Sequence, residues 1–259
     1  MRCFLDEAAA RHNQLTFIAD DPIAVPRQFS LLQDIEIIGF WTAMLAWGQR
    51  PVILQKARQL VQLMDGAPFD FIKNHQESDR KPFLDFKHRT FNADDTLYFL
   101  AFFQDFYQQN DSLETAFVRH LQPNDQTVEN ALVGFEQDFF RLSFSLLRTR
   151  KHVASPRRKS SCKRLNMFLR WMVRSDEAGV DLGVWKKINA SQLLMPLDVH
   201  VDRQARRLGL LVRPQTDWLA VLELTENLRK IDAADPVRYD FALFGLGIEE
   251  KNINLNFRL

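Results

Sequence analysis

The stretch that most constrains this chain is Asp34 to Trp47, Asp-Ile-Glu-Ile-Ile-Gly-Phe-Trp-Thr-Ala-Met-Leu-Ala-Trp. It is apolar nearly all round, so it cannot be a surface helix with one wet face, and the reading is a central helix buried on every side. The rest of the chain fits a helical frame. The sequence has 9 Gly and 10 Pro in 259 residues, no Val/Ile-rich alternating runs and no Asn-Gly or Asp-Gly hairpin turns. Phenylalanine is unusually abundant, 22 against 3 Tyr, and a ring without a polar tip is core filler. The five tryptophans, Trp41, Trp47, Trp171, Trp185 and Trp218, sit on helical apolar patterns and are expected in the core.

Local signals divide the remainder into about ten helices with no confident strand. Pro51 suits the first turn of a helix to about Met64, stopped by Asp65-Gly66. Pro68 starts a short helix to about Asn74, and 77–90 is polar and irregular. Asn92 to Gln109 is an aromatic-rich helix with acids in its first turn, and Ser112 begins another that ends before Pro123. Gln126 to about Leu147 continues the pattern. Ser161 caps a helix to about Arg174, and Asp198 caps Val199 to Leu208, with Gly209 as the stop. Thr216 or Asp217 starts a helix to Lys230, and Asp235-Pro236 starts the last, Val237 to Leu246. The expected architecture is one all-α, bilobal domain over 1–259: a lobe of middle helices at about 30–150, and a second from about 1–29 plus 151–259.

Charge is concentrated in one place. Residues 148–164 hold eight Lys/Arg and no acid, while the chain's net charge is +1, so the other 242 residues stand at 1 − 8, or −7. A cationic focus on an acidic body is the footprint of a phosphate-binding surface, although such a run is also compatible with a solvated loop. No apolar run approaches the ~20 residues of a membrane span. The N-terminus lacks a signal-peptide stretch, so the expected compartment is the cytoplasm. Cys3 and Cys162 lie too far apart in sequence to suggest a disulfide framework, a zinc site or an iron–sulfur cluster. Cationic neighbours are expected to lower the Cys162 thiol pKa. His200 with Asp202 makes a weak case for a metal, and the expectation is no metal and no cofactor.

Three motifs carry a resemblance. Ile35-Glu-Ile-Ile-Gly-Phe-Trp-Thr-Ala-Met-Leu-Ala-Trp-Gly-Gln49 is similar to a long buried helix ending in a glutamine-bearing turn. Lys163-Arg-Leu-Asn166 resembles the Lys-x-x-Asn start of the helix after a DNA-binding hairpin. Pro196-Leu-Asp198-Val-His200-Val resembles a Val-Asp-x-His turn. In this order they resemble the helix-hairpin-helix DNA glycosylase superfamily, the endonuclease III-like and archaeal 8-oxoguanine glycosylase-like enzymes. More closely, the chain is similar to an uncharacterised family of conserved hypothetical bacterial proteins beside that superfamily. Asp240-Phe-Ala-Leu-Phe-Gly-Leu-Gly is a weaker fourth match. The chain also departs from the pattern. Lys159-Ser-Ser161 stands where the family's hairpin carries Gly-x-Gly, the interval from Lys163 to Asp198 is a long 35 residues, and the C-terminal cysteine cluster is absent.

The resemblance implies a helix-hairpin-helix glycosylase fold and a DNA-repair enzyme that excises a damaged base, with associated lyase activity. Lys163 would attack the sugar C1′ and form a Schiff base; its amine must be uncharged, which clustered cations and partial burial favour. Asp198 would stabilise developing positive charge on the sugar or help move protons. Gln49 would border the gap left by the flipped base, with Trp47 as a candidate for the base pocket. Arg50, Arg157, Arg158, Lys159, Ser160, Ser161, Arg164 and His200 would contact duplex DNA. The site is expected in the groove between the lobes. Blander readings stand beside these: Lys163 as one more solvated lysine, Asp198 as a plain helix cap, His200 as a packed histidine, Gln49 as a turn residue. The alternatives for the whole chain are a non-catalytic nucleic-acid-binding protein on the same fold, or a helical interaction protein.

Overall fold

A computed structural model describes residues 1–256 as α-helices, short 3-10 segments and turns. The fold is all-α. The one β-type pairing among the described residues is an isolated bridge between His88 and Phe91. Eleven α-helices form among the described residues, and the chain divides into two compact units, one of residues 18–122 and 130–154, the other of residues 1–17, 123–129 and 155–259. Residues 18–29, expected with the C-terminal part, thus pack in the middle unit.

The first helix, α1 (Arg2–His12), belongs to the second unit. The middle unit is built on α2 (Leu32–Leu45), whose residues from Asp34 to Leu45 are all buried. Around it stand α3 (Arg50–Leu63), α4 (Pro68–Asn74), α5 (Ala93–Tyr107), α6 (Glu114–Val118) and α7 (Glu129–Phe139). The core is a phenylalanine cluster. The Phe40 ring centroid lies 5.8, 5.7, 5.5 and 5.7 Å from those of Phe99, Phe103, Phe135 and Phe139. Such offset and edge-on pairs add to the burial term. One acid sits inside α2: Glu36 is fully buried and accepts from the Tyr107 hydroxyl (2.9 Å), the Ser112 hydroxyl (2.5 Å) and the Leu113 amide (2.9 Å). Three donors compensate the cost of burying that carboxylate.

In the second unit α1 packs on α11 (Asp240–Asn256), which packs in turn on α9 (Val199–Arg207). Two more helices complete it, α8 (Lys163–Val173) and α10 (Trp218–Arg229). Four of the five tryptophans are buried, and Trp47 is half-buried.

Two helices are shorter than their periodicity suggests. The run expected from Gln126 to Leu147 is helical from Glu129 to Phe139. Beyond it the chain turns so that Phe140 stacks on Tyr98 (5.7 Å) and Phe144 meets the same ring edge-on (5.6 Å). The segment opened by Ser112 is helical from Glu114 to Val118.

Candidate functional site

The loop into α8 carries unusual backbone. After a 3-10 turn at Pro156–Arg158, Lys159 has φ 58°, and Cys162, the residue before the helix, has φ 49°. Left-handed backbone in a side-chain-bearing residue costs about 1–3 kcal/mol and persists where the surroundings impose it. Here the Lys159 carbonyl accepts from the Trp218 amide (3.2 Å), the Ser160 hydroxyl accepts from the Cys162 amide (3.2 Å), and the Ser161 carbonyl accepts from the Asn166 side chain (3.2 Å). Ser161 therefore does not cap α8 as expected; Cys162 holds that position, without a side-chain cap bond. Lys159 adopts the conformation a glycine would favour, at the first position where the resembled hairpin carries one.

Lys163 is the first residue of α8 and is half-buried, with its Nζ 3.4 Å from the Met167 sulfur. Met167, Arg170 and Arg174 continue the same helical face. Both arginines are buried and held by acids. Asp181 accepts from Arg170 Nε and Arg174 Nη1, each at 3.1 Å; Arg174 also pairs with Asp176 (2.7 Å) and Asp235 (2.8 Å). Arg170 additionally grips Asp240, the first residue of α11.

Asp198 caps α9, its Oδ1 accepting from the amides of His200 (2.8 Å) and Val201 (3.0 Å). His200 turns to α11: its Nδ1 lies 3.3 Å from the Gly247 carbonyl, and its ring stands edge-on to Phe244 at 5.7 Å. That carbonyl is an acceptor, so Nδ1 is the protonated nitrogen. A methyl group at Gly247 would lie 2.8 Å from the His200 Cβ, so α9 and α11 approach closely at this point.

Asp240 is the residue that sequence reasoning missed. It is 6% exposed, and burial pushes its carboxyl up to about 6. The Arg170 and Lys163 charges pull it down, and the Asp198 charge pushes it further up. The signal available was its place at the head of the weakest matching motif.

The basic run is divided between the two units. Arg148 and Arg150 belong to the middle unit, where Arg148 pairs with Asp95 (2.8 Å) and Arg150 with Glu136 (3.2 Å). Arg157, Arg158 and Lys159 are exposed at the loop before α8. Arg164 is half-buried, and burial lowers its guanidinium to about 10. The expectation of an acidified Cys162 thiol is overturned. Burial pushes it up to about 12, and the opposing pull of the Ser160 hydrogen bond, Arg158 and Arg164 is smaller.

Trp47, Gln49 and Arg50 belong to the middle unit. Gly48 (φ 111°) makes the turn, Gln49 is exposed at the head of α3 without a side-chain cap bond, and Arg50 is half-buried in the first turn. Trp47 stands edge-on to His88 (5.6 Å), with the Arg89 guanidinium 5.0 Å over its ring. A stacking partner thus already covers that tryptophan.

No group of three or more His, Cys, Asp or Glu side chains that could hold a metal exists among the described residues. No helix among them is long and apolar enough to cross a membrane. The second unit carries Lys163, Asp198 and Asp240 at the heads of α8, α9 and α11, with the exposed Arg157, Arg158 and Lys159 in the loop before α8. No curated protein and no solved structure matches the chain. One family model does, over residues 21–249, nearly the whole length, and the chain therefore belongs to the family described as Protein of unknown function (DUF2400).

Proposed function

We propose that this protein is a base-excision DNA glycosylase with associated lyase activity, related to the helix-hairpin-helix glycosylases, with Lys163 as nucleophile and Asp198 as the carboxylate that offsets positive charge on the sugar. The observation that carries the reading is the loop before α8, where exposed Arg157, Arg158 and Lys159, the last at φ 58°, lead directly to Lys163 at the helix start. The neutral amine attacks C1′ and the bond to the base breaks with its electron pair on the base; the adduct's nitrogen loses a proton and its lone pair expels the ring oxygen O4′, which is protonated, leaving a Schiff base that permits strand cleavage. Arg157, Arg158 and Lys159 supply phosphate affinity, at an energy that falls steeply with salt. The base must leave the stack first, at ~a few kcal/mol.

Borohydride trapping tests the proposal. Incubated with duplexes carrying abasic or oxidised sites, the wild-type protein should yield a covalent adduct that disappears in Lys163→Ala. Undiminished trapping in that variant removes Lys163 as nucleophile. The exposed arginine–lysine tip also favours a second reading, nucleic-acid binding without catalysis: salt-sensitive duplex affinity with no adduct from any substrate would select it. Affinity indifferent to salt would count against both.

A further inference from the structure

A second concentration of positive charge stands on the middle unit, where no single stretch of sequence shows it. Residues 47–64 carry Arg50, Lys56 and Arg58, residues 86–93 carry Lys87 and Arg89, and neither segment holds an Asp or Glu. Folding joins the two. His88 Nε2 donates to the Trp47 carbonyl (3.1 Å), 41 residues away in sequence, and the Arg89 guanidinium lies 5.0 Å over the Trp47 ring. Lys56 Nζ, on α3, lies 5.4 Å over the Phe86 ring. Gly48 makes room for the arginine, since a methyl group there would stand 3.0 Å from Arg89 Nη1. The two cations thus lie along one seam, where residues 86–89 meet α3 and the turn before it. The turn that carries Arg89 is braced on both sides. His88 and Phe91 exchange backbone hydrogen bonds of 2.9 Å, and the Thr90 carbonyl accepts from Arg148 Nη2 (2.9 Å). Arg89 itself is exposed, with left-handed backbone at φ 55°. Of the acids that flank the second segment, Asp85 precedes it, and Asp94 and Asp95 follow it and pair with Arg148 (3.9 and 2.8 Å).

We propose that this seam of the middle unit binds the backbone phosphates of duplex DNA, with Arg89 and Lys56 as the contacting groups. The inference rests on the nucleic-acid part of the reading above and adds a surface that its motifs do not contain. What distinguishes the seam is availability of charge. Arg141, Arg148 and Arg150 of the same unit are taken by Asp105, Asp95 and Glu136. Among the described residues neither Arg89 nor Lys56 pairs with an acid, and each is held by an aromatic ring. A ring attracts a cation through its quadrupole without neutralising it. The Arg89 fork therefore keeps its full charge for a ligand, in an orientation already set, which reduces the ordering cost of binding. Phosphate oxygens are acceptors that such a fork matches in pairs. Lys56, whose Nζ also donates to Gln59 Oε1 (2.9 Å), adds a point charge beside it.

The experiment is the affinity of the full chain for a fluorescently labelled DNA duplex, read by anisotropy across a potassium chloride series. Lys56→Gln keeps an unbranched stem on α3, and Arg89→Asn places a residue that tolerates left-handed backbone in the turn, so both remove charge and keep the local fold. Each phosphate contact contributes about 0.9 to the slope of log affinity against log salt. Each variant should therefore lose about 0.9 of the wild-type slope, and about a fourfold rise in salt should close about 3.5-fold of its deficit in affinity. Arg89→Lys should restore the slope, because the charge and not the shape of the fork sets it. A slope unchanged in one variant removes that residue from the surface, and a slope unchanged in both overturns the proposal. If neutralising Arg157, Arg158 and Lys159 lowers the slope in that same assay, the nucleic-acid reading stands without this seam. Wild-type affinity that does not respond to salt overturns both. Slope losses on duplex RNA with none on DNA overturn the assignment to DNA.

Discussion

Asp95→Asn should destabilise the middle unit, by an amount that depends on pH. The Asp95 side chain is fully buried at the third position of α5. It accepts from the Asn92 amide (3.0 Å), Arg148 Nη1 (2.8 Å) and the Thr149 hydroxyl (2.7 Å), and His152 Nε2 lies 3.3 Å away. Burial pushes the carboxyl up, but His152, the Asn92 amide and Thr149 together outweigh it and hold it at about 2. The gap from 3.8 to about 2, at about 1.36 kcal/mol per pH unit, is worth about 2.4 kcal/mol. The folded value is the depressed one. The contribution is therefore complete above the unfolded value of 3.8 and is lost as pH falls toward 2. By the same relation about 1.3 kcal/mol remains at pH 3. The amide keeps part of the cap but leaves the Arg148 guanidinium uncompensated. Removing one member of a buried pair costs ~3–5 kcal/mol, and the partial exposure of Arg148 reduces this to about 2–4. Urea unfolding, with amide exchange in α5 reporting on this unit, should show that deficit at pH 7 and a deficit smaller by about 1 kcal/mol at pH 3. A deficit below about 0.5 kcal/mol at pH 7, or one unchanged on acidification, would refute the reasoning.

Two further outcomes follow from the loop before α8. Cys162 is buried with its thiol pushed up to about 12, and Cys3 is exposed, so a thiol reagent should label one cysteine in the native protein and two after unfolding; rapid native labelling of Cys162 would contradict its burial. Lys159→Gly should raise stability by about 0.5–1 kcal/mol, because relief at φ 58° exceeds the added chain entropy of glycine. A urea midpoint below wild type would show that the lysine side chain stabilises the loop.

What the sequence made legible was mostly local. Pro68 at the first turn set the bounds of α4, Pro68–Asn74, as read. Asp198 and Asp217 cap α9 and α10 because a carboxylate can reach the next free amides whatever the rest of the fold does. The all-round apolar run at 34–47 could only be a buried helix, and α2 is that helix, ending at Leu45. What depended on a distant partner was not legible. The basic run reads as one patch because Asp95, which takes Arg148, is 53 residues away, and Glu136, which takes Arg150, lies 14 residues upstream. Cationic neighbours of Cys162 were visible, but the burial that outweighs them was not. Asp240 reads as an ordinary acid in a helix's first turn, since nothing in its neighbours announces Arg170, 70 residues earlier.

The two readings of Asp198, helix cap and reactive carboxylate, are not rivals. Both cap bonds land on Oδ1, at 2.8 and 3.0 Å, so the cap needs one oxygen of the two. The cap also fixes the orientation of the carboxylate at the head of α9. Asp240 is placed oppositely: although it too opens a helix, burial and the nearby Asp198 charge favour its protonated form, and its pairing with Arg170 does not offset them. The two acids thus differ in setting, one a half-buried helix cap and the other a buried first-turn residue.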